Sequence, residues 1–391
     1  MKRLGVVAGG VLLVIGLAVG LGRLLPQREN VYDFIVLYSA SLGVISRVPI
    51  YDNTAILHLA ISRLSLGSDF TLLPYPYPPW TALSAFYLGL LPVFWAANVW
   101  MLLNMAMLVG SVFLLSAAWK PISRIVLGLT ALMFIPALGL IVVGQYAAPV
   151  LLGAALFGYA ARREQAGLAA AGLLLMTFKP HIGLFLLPVC SLWLVFQRTP
   201  FGRKAVWWTL GGAAALVALG FIADPAWPQD YLRSLLSFSA VPGVASRELS
   251  ASLPVLLVKL LAGQSNALWA TCLGGGMAVL LLMLFWRFGI FKNIEALVAG
   301  VTLLTLLSSP YLFNYDYVLL LLPLIYLAAQ ARGLVPRLLL VLTYLLPWLS
   351  LVLAREANGL YAGSAVLLVI VLLNSGNQGQ QTTGLTSPPL G

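Results

Sequence analysis

Asp33 is the ionisable side chain whose position most strongly suggests chemistry. Only 8% of the 391 residues are charged and 61% are hydrophobic, and Asp33 follows the first long apolar run, within Val31-Tyr32-Asp33-Phe34. An acid just outside such a run more often serves a functional site than a plain surface. Burial against apolar surroundings raises the pKa of a carboxyl group toward the range of a general base. Asp33 is therefore our first candidate for a catalytic residue.

Lys179 is the second candidate, because it interrupts an apolar stretch. The run from Leu173 to Phe178 is followed by Lys179-Pro180-His181, and apolar residues resume at Ile182. A lysine here either holds a phosphate group as a point charge or extends its stem to reach polar headgroups. His181 either assists the phosphate contact or is a hydrogen-bonded neighbour.

Other polar and aromatic side chains lie in turns between apolar runs. Turns of separate spans that open on one side can enclose a binding cavity. Asp316 resembles Asp33, because each lies near a helix terminus among aromatic residues. Besides Lys179 and His181, the candidate substrate-binding residues are Tyr38, Asp52, Tyr77, Gln145, Arg247, Tyr311, Asn314 and Asp316.

The elements that carry these residues are predicted to be membrane helices. A mean hydropathy of +0.99, with apolar runs of helical length in succession, is incompatible with a soluble domain. The first run is too long for the apolar core of a signal peptide and has no small-residue cleavage site, so we interpret it as a retained anchor. The predicted spans are residues 4–25, 93–118, 122–142, 146–162, 166–178, 181–197, 204–223, 266–287, 294–309, 314–330, 334–354 and 359–373. We therefore predict an all-α polytopic membrane protein with about 12 transmembrane helices.

The distribution of basic residues predicts the orientation of these spans. With the N-terminus inside, the basic pairs Lys120 and Arg124, and Arg162 and Arg163, lie in inner turns, as the positive-inside rule requires. The long loops at 26–79 and 224–265 then face outside, and nine of the 11 acids lie on that side. The net charge of +11 is explained mainly by this signal, and no basic cluster is dense enough to indicate nucleic acid.

The first outer loop is predicted to form two helices along the membrane surface. Apolar positions repeat between Val31 and Arg47 and again between Asn53 and Leu66, with Asp52 or Asn53 as the N-cap of the second helix. The apolar segment 79–91 is either a re-entrant helix or the first half of a kinked span. Residues 1–373 form one transmembrane domain in this interpretation, and 374–391 form a disordered cytoplasmic tail.

Taken in order, these features resemble the GT-C superfamily of integral membrane glycosyltransferases. The closest resemblance is to glycosyltransferase family 87, a polyprenyl-phosphate-sugar dependent group that includes α-mannosyltransferases. The matching features are Asp33-Phe34 with Tyr38 and Ala40, Ile50-Tyr51-Asp52, Tyr77-Pro78-Pro79, Gly144-Gln145, Lys179-Pro180 and Ser309-Pro310. They extend over roughly residues 30 to 320, most of the chain.

The resemblance implies a GT-C-like helical bundle with its active site on the outer face. Asp33 matches the loop acid that acts as the base, and Lys179 matches the lysine that contacts the donor phosphate. A histidine-containing motif often follows Ser-Pro in mannosyltransferase members, but this chain has Tyr311-Leu312-Phe313-Asn314-Tyr315-Asp316 there. The resemblance therefore leaves the sugar open.

The expected function is transfer of a sugar, with inversion, from a polyprenyl phosphate to a lipid or glycan acceptor at the bacterial inner membrane. Aromatic residues such as Tyr38, Tyr77 and Tyr311 would stack on sugar or isoprenoid, or anchor the protein at the interface. No cofactor is expected. Without Asp-x-Asp or histidine clusters a bound divalent metal is unnecessary, and it stays an open alternative. The rival interpretation is a lipid or small-molecule transporter or flippase, which predicts ionisable residues within the spans and an internal repeat.

Overall fold

The computed structural model describes residues 32–64, 70–241, 250–353 and 358–383, and all regular secondary structure in these ranges is helical. For Tyr32 and residues 375–383 only the backbone is described. The predicted anchor at 4–25 and Arg247 lie outside the described residues.

Short turns join the helices. The α-helices are α1 (Tyr32–Ser46), α2 (Asn53–Leu64), α3 (Pro79–Ser84), α4 (Val93–Leu115), α5 (Pro121–Leu132), α6 (Ile135–Val143), α7 (Ala147–Arg162), α8 (Ala166–Met176), α9 (Pro180–Gln197), α10 (Pro200–Ala223), α11 (Trp227–Ala240), α12 (Leu253–Ala262), α13 (Ala267–Arg287), α14 (Ile294–Ser308), α15 (Leu321–Gln330), α16 (Leu334–Leu349) and α17 (Gly359–Thr383). Short 3-10 helices occupy Phe86–Leu90, Ile290–Lys292 and Asn314–Leu320.

The described helices support an all-helical membrane protein. The helices α4, α9, α10 and α13 are each long and apolar enough to cross a membrane, and the bent pair of α5 and α6 would add a fifth crossing. Other predicted spans are present as apolar helices that are shorter than the ~20 residues a perpendicular crossing needs. The count of about 12 spans stays a prediction.

The span predicted at 122–142 is divided into two helices. The axes of α5 and α6 are bent by 63° at the break after Leu132. Pro136 is in the first turn of α6, and a proline lacks the N–H group and disfavours helical backbone at the residue before it. After the bend, α6 packs against the 3-10 helix Asn314–Leu320, which begins the span predicted at 314–330. The divided helix therefore brings the C-terminus of α6 beside Asp316.

The helices α1 and α2 lie close to the ranges predicted for the first long loop. Oδ1 of Asp52 accepts a hydrogen bond from the backbone N–H of Ala55 at 3.0 Å, so Asp52 caps α2. Phe34, Leu37 and Ala40 of α1 are fully buried within the protein, because α1 packs against α2 and the 3-10 helix Phe86–Leu90. The position of these helices along the membrane surface stays a prediction.

The segment predicted as re-entrant or kinked, 79–91, forms the short helix α3 and the 3-10 helix Phe86–Leu90, with a break at Leu91 and Pro92 before α4. Both alternatives for its path through the membrane stay predictions. At the other end of the chain, α17 continues to Thr383, beyond the predicted start of the tail.

Two clusters of buried apolar side chains organise the fold. One includes Leu151, Ile182 and Leu304 and joins the central helices α7, α9 and α14. The other includes Phe34 and Tyr77 and joins α1, α3 and α4. The candidate site lies where the two clusters meet.

Candidate active site

Asp33 lies in the first turn of α1, where the partial positive charge of a helix N-terminus favours an anion. Its side chain is partly buried. Oδ2 of Asp33 accepts a hydrogen bond from Nε2 of Gln145 at 2.6 Å, and the Tyr315 phenol lies close enough to lower the pKa of this carboxyl group. The candidate base is thus held by residues from distant parts of the chain.

The environment of Asp33 shifts its protonation equilibrium. Burial raises the pKa of the Asp33 carboxyl group above its ordinary value, because the ionised form loses hydration. The Gln145 hydrogen bond and the charge of Lys179 oppose this increase, whereas the negative charge of Asp316 adds to it. The net upward shift is in the direction that suits a general base.

Gln145 is held in place by the turn that ends α6. Gly144 adopts the left-handed conformation with φ +77°, and a side chain there would meet Cβ of Phe34 at 2.8 Å. The Gln145 N–H donates to the Leu140 carbonyl at 3.2 Å, the six-residue bond of a Schellman turn. Nε1 of Trp100 donates to the Gly144 carbonyl at 2.8 Å. Glycine is therefore required before Gln145 for both conformation and space.

The Gln145 side chain connects the two charged residues singled out in the sequence. Its Oε1 accepts hydrogen bonds from Nζ of Lys179 at 3.1 Å and from the Tyr77 hydroxyl at 2.9 Å. Its Nε2 donates to Asp33. One buried amide therefore joins Asp33, Tyr77 and Lys179 into a single network.

Lys179 precedes α9 and forms a buried ion pair with Asp316. The distance from Nζ of Lys179 to Oδ1 of Asp316 is 2.5 Å, and the two side chains are 2% and 0% exposed. Nζ also lies 4.6 Å from the centroid of the Tyr315 ring, a cation–π geometry. The alternative in which Lys179 extends toward headgroups is wrong, because its ammonium group is enclosed within the protein.

Asp316 is oriented by its own helix and approached by His181. Its Oδ2 accepts a hydrogen bond from the Phe313 N–H at 3.0 Å, and Nε2 of His181 lies 3.7 Å from the same oxygen. The Tyr311 ring meets His181 edge-on, with centroids 5.3 Å apart. His181 and Tyr311 thus border the network on the Asp316 side.

Aromatic side chains support the other end of the network. The Tyr51 hydroxyl donates to the Tyr77 carbonyl at 2.8 Å, which fixes the backbone that carries Tyr77. The Tyr77 ring packs on Tyr146 with centroids 4.7 Å apart, and Tyr146 packs on Trp100 at 5.1 Å. The Tyr77 hydroxyl is thereby directed at Gln145.

Several predicted site residues lie elsewhere. The Tyr38 hydroxyl donates to the Leu91 carbonyl at 2.7 Å, Asp52 is exposed as the cap of α2, and the exposed Asn314 accepts a hydrogen bond from its neighbour Tyr315 at 2.8 Å. None of these three makes a described hydrogen bond to the side chain of Asp33, Gln145, Lys179 or Asp316. Arg247 lies outside the described residues.

Tyr315 and Tyr146 were not predicted as site residues, although both line the network. Their signal was adjacency: each immediately neighbours a selected polar residue, Asp316 or Gln145. Both are buried aromatics, a type that the apolar pattern assigns to the core, so only their contacts distinguish them.

The arrangement is suited to proton acceptance beside a fixed positive charge. Asp33 is partly exposed, whereas the ammonium that offsets its charge is buried and immobilised behind Gln145. Such preorganisation stabilises charge that develops during a reaction. Within the described ranges, no group of three or more His, Cys, Asp or Glu side chains is arranged to hold a metal ion.

The comparison with known families matches residues 75–310, more than half of the chain, and this range includes Gln145 and Lys179. Neither the search of curated proteins nor that of solved structures gives a match. The matched family is described as glycosyltransferase family 87, in agreement with the resemblance drawn from the motifs. The chain therefore belongs to glycosyltransferase family 87 and is a membrane glycosyltransferase.

Proposed function

We propose that this protein moves one sugar, a hexose or a pentose, from a polyprenyl phosphate to a lipid or glycan acceptor, with inversion at the anomeric carbon. The reaction would take place at the outer face of a bacterial inner membrane. The observation that best supports the proposal is the network in which Asp33, partly exposed, is joined through Gln145 to the buried cation Lys179.

The proposed reaction is a single displacement. The acceptor hydroxyl oxygen attacks the anomeric carbon, the bond from that carbon to the phosphate oxygen breaks, and the hydroxyl proton passes to Asp33. The polyprenyl phosphate leaves with the bonding electron pair. Because a phosphate ester is already a good leaving group, the protein needs only a base and a stabilised phosphate.

The charges of the network indicate how the phosphate would be stabilised. The described network holds the carboxylates of Asp33 and Asp316 but only one ammonium group, and that group is already paired. Lys179 offsets part of the phosphate charge, and a second cation is needed beside it. Arg247 is the candidate for this cation in the proposal, and His181, next to Asp316, would add a hydrogen bond to the phosphate.

The sequence favours one class of donor. No glycine-rich nucleotide-binding fingerprint is present in the sequence, so we favour a lipid-linked donor over a nucleotide sugar. The family is one of transferases, which favours sugar transfer over the transporter alternative.

A donor panel tests the proposed substrate class. Purified protein in lipid vesicles is incubated with radiolabelled polyprenyl phosphates of mannose, glucose and arabinofuranose, and in parallel with the corresponding nucleotide sugars. We expect the radiolabelled sugar to be transferred from one of the polyprenyl phosphates. Use of a nucleotide sugar alone would overturn the donor assignment.

Asp33→Asn tests the proposed base. The change keeps size and hydrogen-bond acceptance but removes the proton acceptor, so turnover should fall by about 10³-fold. Asp230→Asn is the matched control, because Asp230 lies on α11 and pairs with Arg233 outside the network. Transfer by folded Asp33→Asn protein at the wild-type rate would rule out Asp33 as the base.

A further inference from the structure

The Gln145 amide touches more of the network than any simple binding role requires. A glutamine that contacts substrate needs a free polar end, but both ends of Gln145 are used within the protein: Oε1 by Lys179 and Tyr77, and Nε2 by Asp33. The side chain is also buried. These contacts point to an action on Asp33 and not on the substrate.

The orientation of this amide is determined by its partners. A lysine ammonium can only donate hydrogen bonds, so the Gln145 atom that faces Nζ of Lys179 must be the carbonyl oxygen. The amino end must then face Asp33. Because an NH₂ group can only donate, Asp33 accepts this bond, which favours the ionised carboxylate, whose oxygens only accept. Lys179 thus determines what Gln145 offers to Asp33.

The same contacts make the amide a stronger donor. The ammonium group of Lys179, which donates to Oε1, draws electron density toward that oxygen and so polarises the amide N–H bonds. Connected hydrogen bonds strengthen one another in this way. Lys179 is itself held by Asp316 at 2.5 Å. The chain of contacts therefore runs from Asp316 through Lys179 and Gln145 to Asp33.

The backbone leaves Gln145 little freedom to move. Its N–H is bonded to Leu140, and the preceding carbonyl is bonded to the Trp100 indole. Gly144 lies against α1 at Phe34, the residue after Asp33. The turn that carries Gln145 and the helix that carries Asp33 are thus in direct contact.

We propose that Gln145 is a positioning residue that holds the Asp33 carboxylate ionised and correctly oriented and couples it to the Lys179–Asp316 pair. The inference rests on the proposed role of Asp33 as the base. It assigns Gln145 no contact with substrate, in contrast to the substrate-binding role predicted from the sequence.

The test measures the protonation of Asp33 without any substrate. A hydrophobic carbodiimide modifies carboxyl groups in their protonated form, and peptide mass spectrometry then gives the modified fraction of Asp33 at each pH. In Gln145→Met the donor to Asp33 is lost, so the labelling midpoint should move upward by about one pH unit. In Gln145→Glu a second carboxyl group faces Asp33, and the two groups should retain a shared proton to still higher pH.

Two controls separate this effect from a general disturbance. Gln197→Met makes the same substitution at an exposed position at the end of α9 and should leave the Asp33 midpoint unchanged. Asp224 is an internal reference, because it is buried but its Oδ1 is bonded to the Ala226 N–H at 2.9 Å, away from Gln145. Its midpoint should be the same in all variants.

Transfer from the active polyprenyl donor supplies the second measurement. Gln145→Met should lower kcat by about 10- to 100-fold with little change in KM, and the deficit should grow as the pH is lowered. Unchanged labelling midpoints in both Gln145→Met and Gln145→Glu would overturn the inference. Transfer by Asp33→Asn would instead overturn the proposed base and leave the labelling result standing, so the two failures are distinguishable.

Discussion

Among the described residues, two ion pairs of a lysine or arginine with an acid join distant helices, and they differ chiefly in burial. Lys179 and Asp316 are separated by 137 residues in the chain and are 2% and 0% exposed. Arg162 and Glu295 are separated by 133 residues and are 34% and 29% exposed. Both pairs connect helix ends. Arg162 ends α7 and Glu295 lies in the first turn of α14, while Lys179 caps α9 and Asp316 lies in the first turn of its 3-10 helix.

The difference in burial changes what each pair does. Water competes for and screens the charges of Arg162 and Glu295, so their pairing contributes little to stability. Water does not reach the buried charges of Lys179 and Asp316, so each charge depends on the other for its stabilisation. The buried pair also contacts Gln145 and so belongs to the candidate site, whereas the exposed pair makes no described contact with it. Similar residues at similar sequence separation therefore have separate roles.

The largest effect is expected for Lys179→Met. The change leaves the Asp316 carboxylate buried without a counter-charge, and the free energy of unfolding should fall by about 3–5 kcal/mol. Denaturant titration in detergent micelles measures it, with Arg162→Met as the matched control. Equal losses in the two variants would show that burial does not distinguish the pairs.

The double variant Lys179→Met with Asp316→Asn separates stability from function. Removing both charges removes the unpaired buried carboxylate, so most of the lost stability should return. Transfer should stay low, because no cation remains beside Gln145 to offset the phosphate charge. If transfer recovers together with stability, the buried pair has a structural role only.

The pH dependence of transfer should reflect Asp33. Its folded-state pKa is raised above the ordinary 3.8, and a base must be ionised to act, so kcat should fall as the pH is lowered through this raised value. The loss should therefore begin at higher pH than for an ordinary aspartate. Glu295→Gln, at the exposed pair, should leave the fall of kcat at low pH (the acidic limb of the pH profile) unchanged. An acidic limb at or below 3.8 would contradict the assignment.

The smallest effect is expected for Glu295→Gln itself. An exposed ion pair contributes about 0–1 kcal/mol, and salt should reduce even that contribution. Unfolding titrations at low and high salt measure it, with Arg162→Met as the reciprocal variant. A loss comparable to that of Lys179→Met would indicate that Glu295 is shielded from solvent.

The sequence was a good guide where the signal is local. The apolar runs predicted helices that are present as α7, α9 and α13, within one or two residues at most ends. Asp52 was predicted as a possible cap of α2 and is one. These features depend on residues within one or two helical turns, and such neighbours are visible in the chain itself.

Pairings across the chain were not predictable in the same way. Asp33, Gln145, Lys179 and Asp316 were all selected, but their mutual contacts were not. The division of the span at 122–142 was also missed, although Pro136 lies within it. Hydropathy alone does not distinguish a straight span from a bent one, and after the bend α6 packs against the 3-10 helix that carries Asp316.

The class of the protein, its helices and the residues worth testing were predictable from the amino-acid sequence, because hydropathy, helix signals and rare charges are local properties of the chain. The burial of Lys179, its pairing with Asp316 and the link from this pair through Gln145 to Asp33 depend instead on the packing of distant helices. The same packing places Tyr38 and Asp52 outside that network, where they bond to Leu91 and Ala55. The physical reason is that a buried charge or amide is satisfied by whichever partner the packing of distant helices presents.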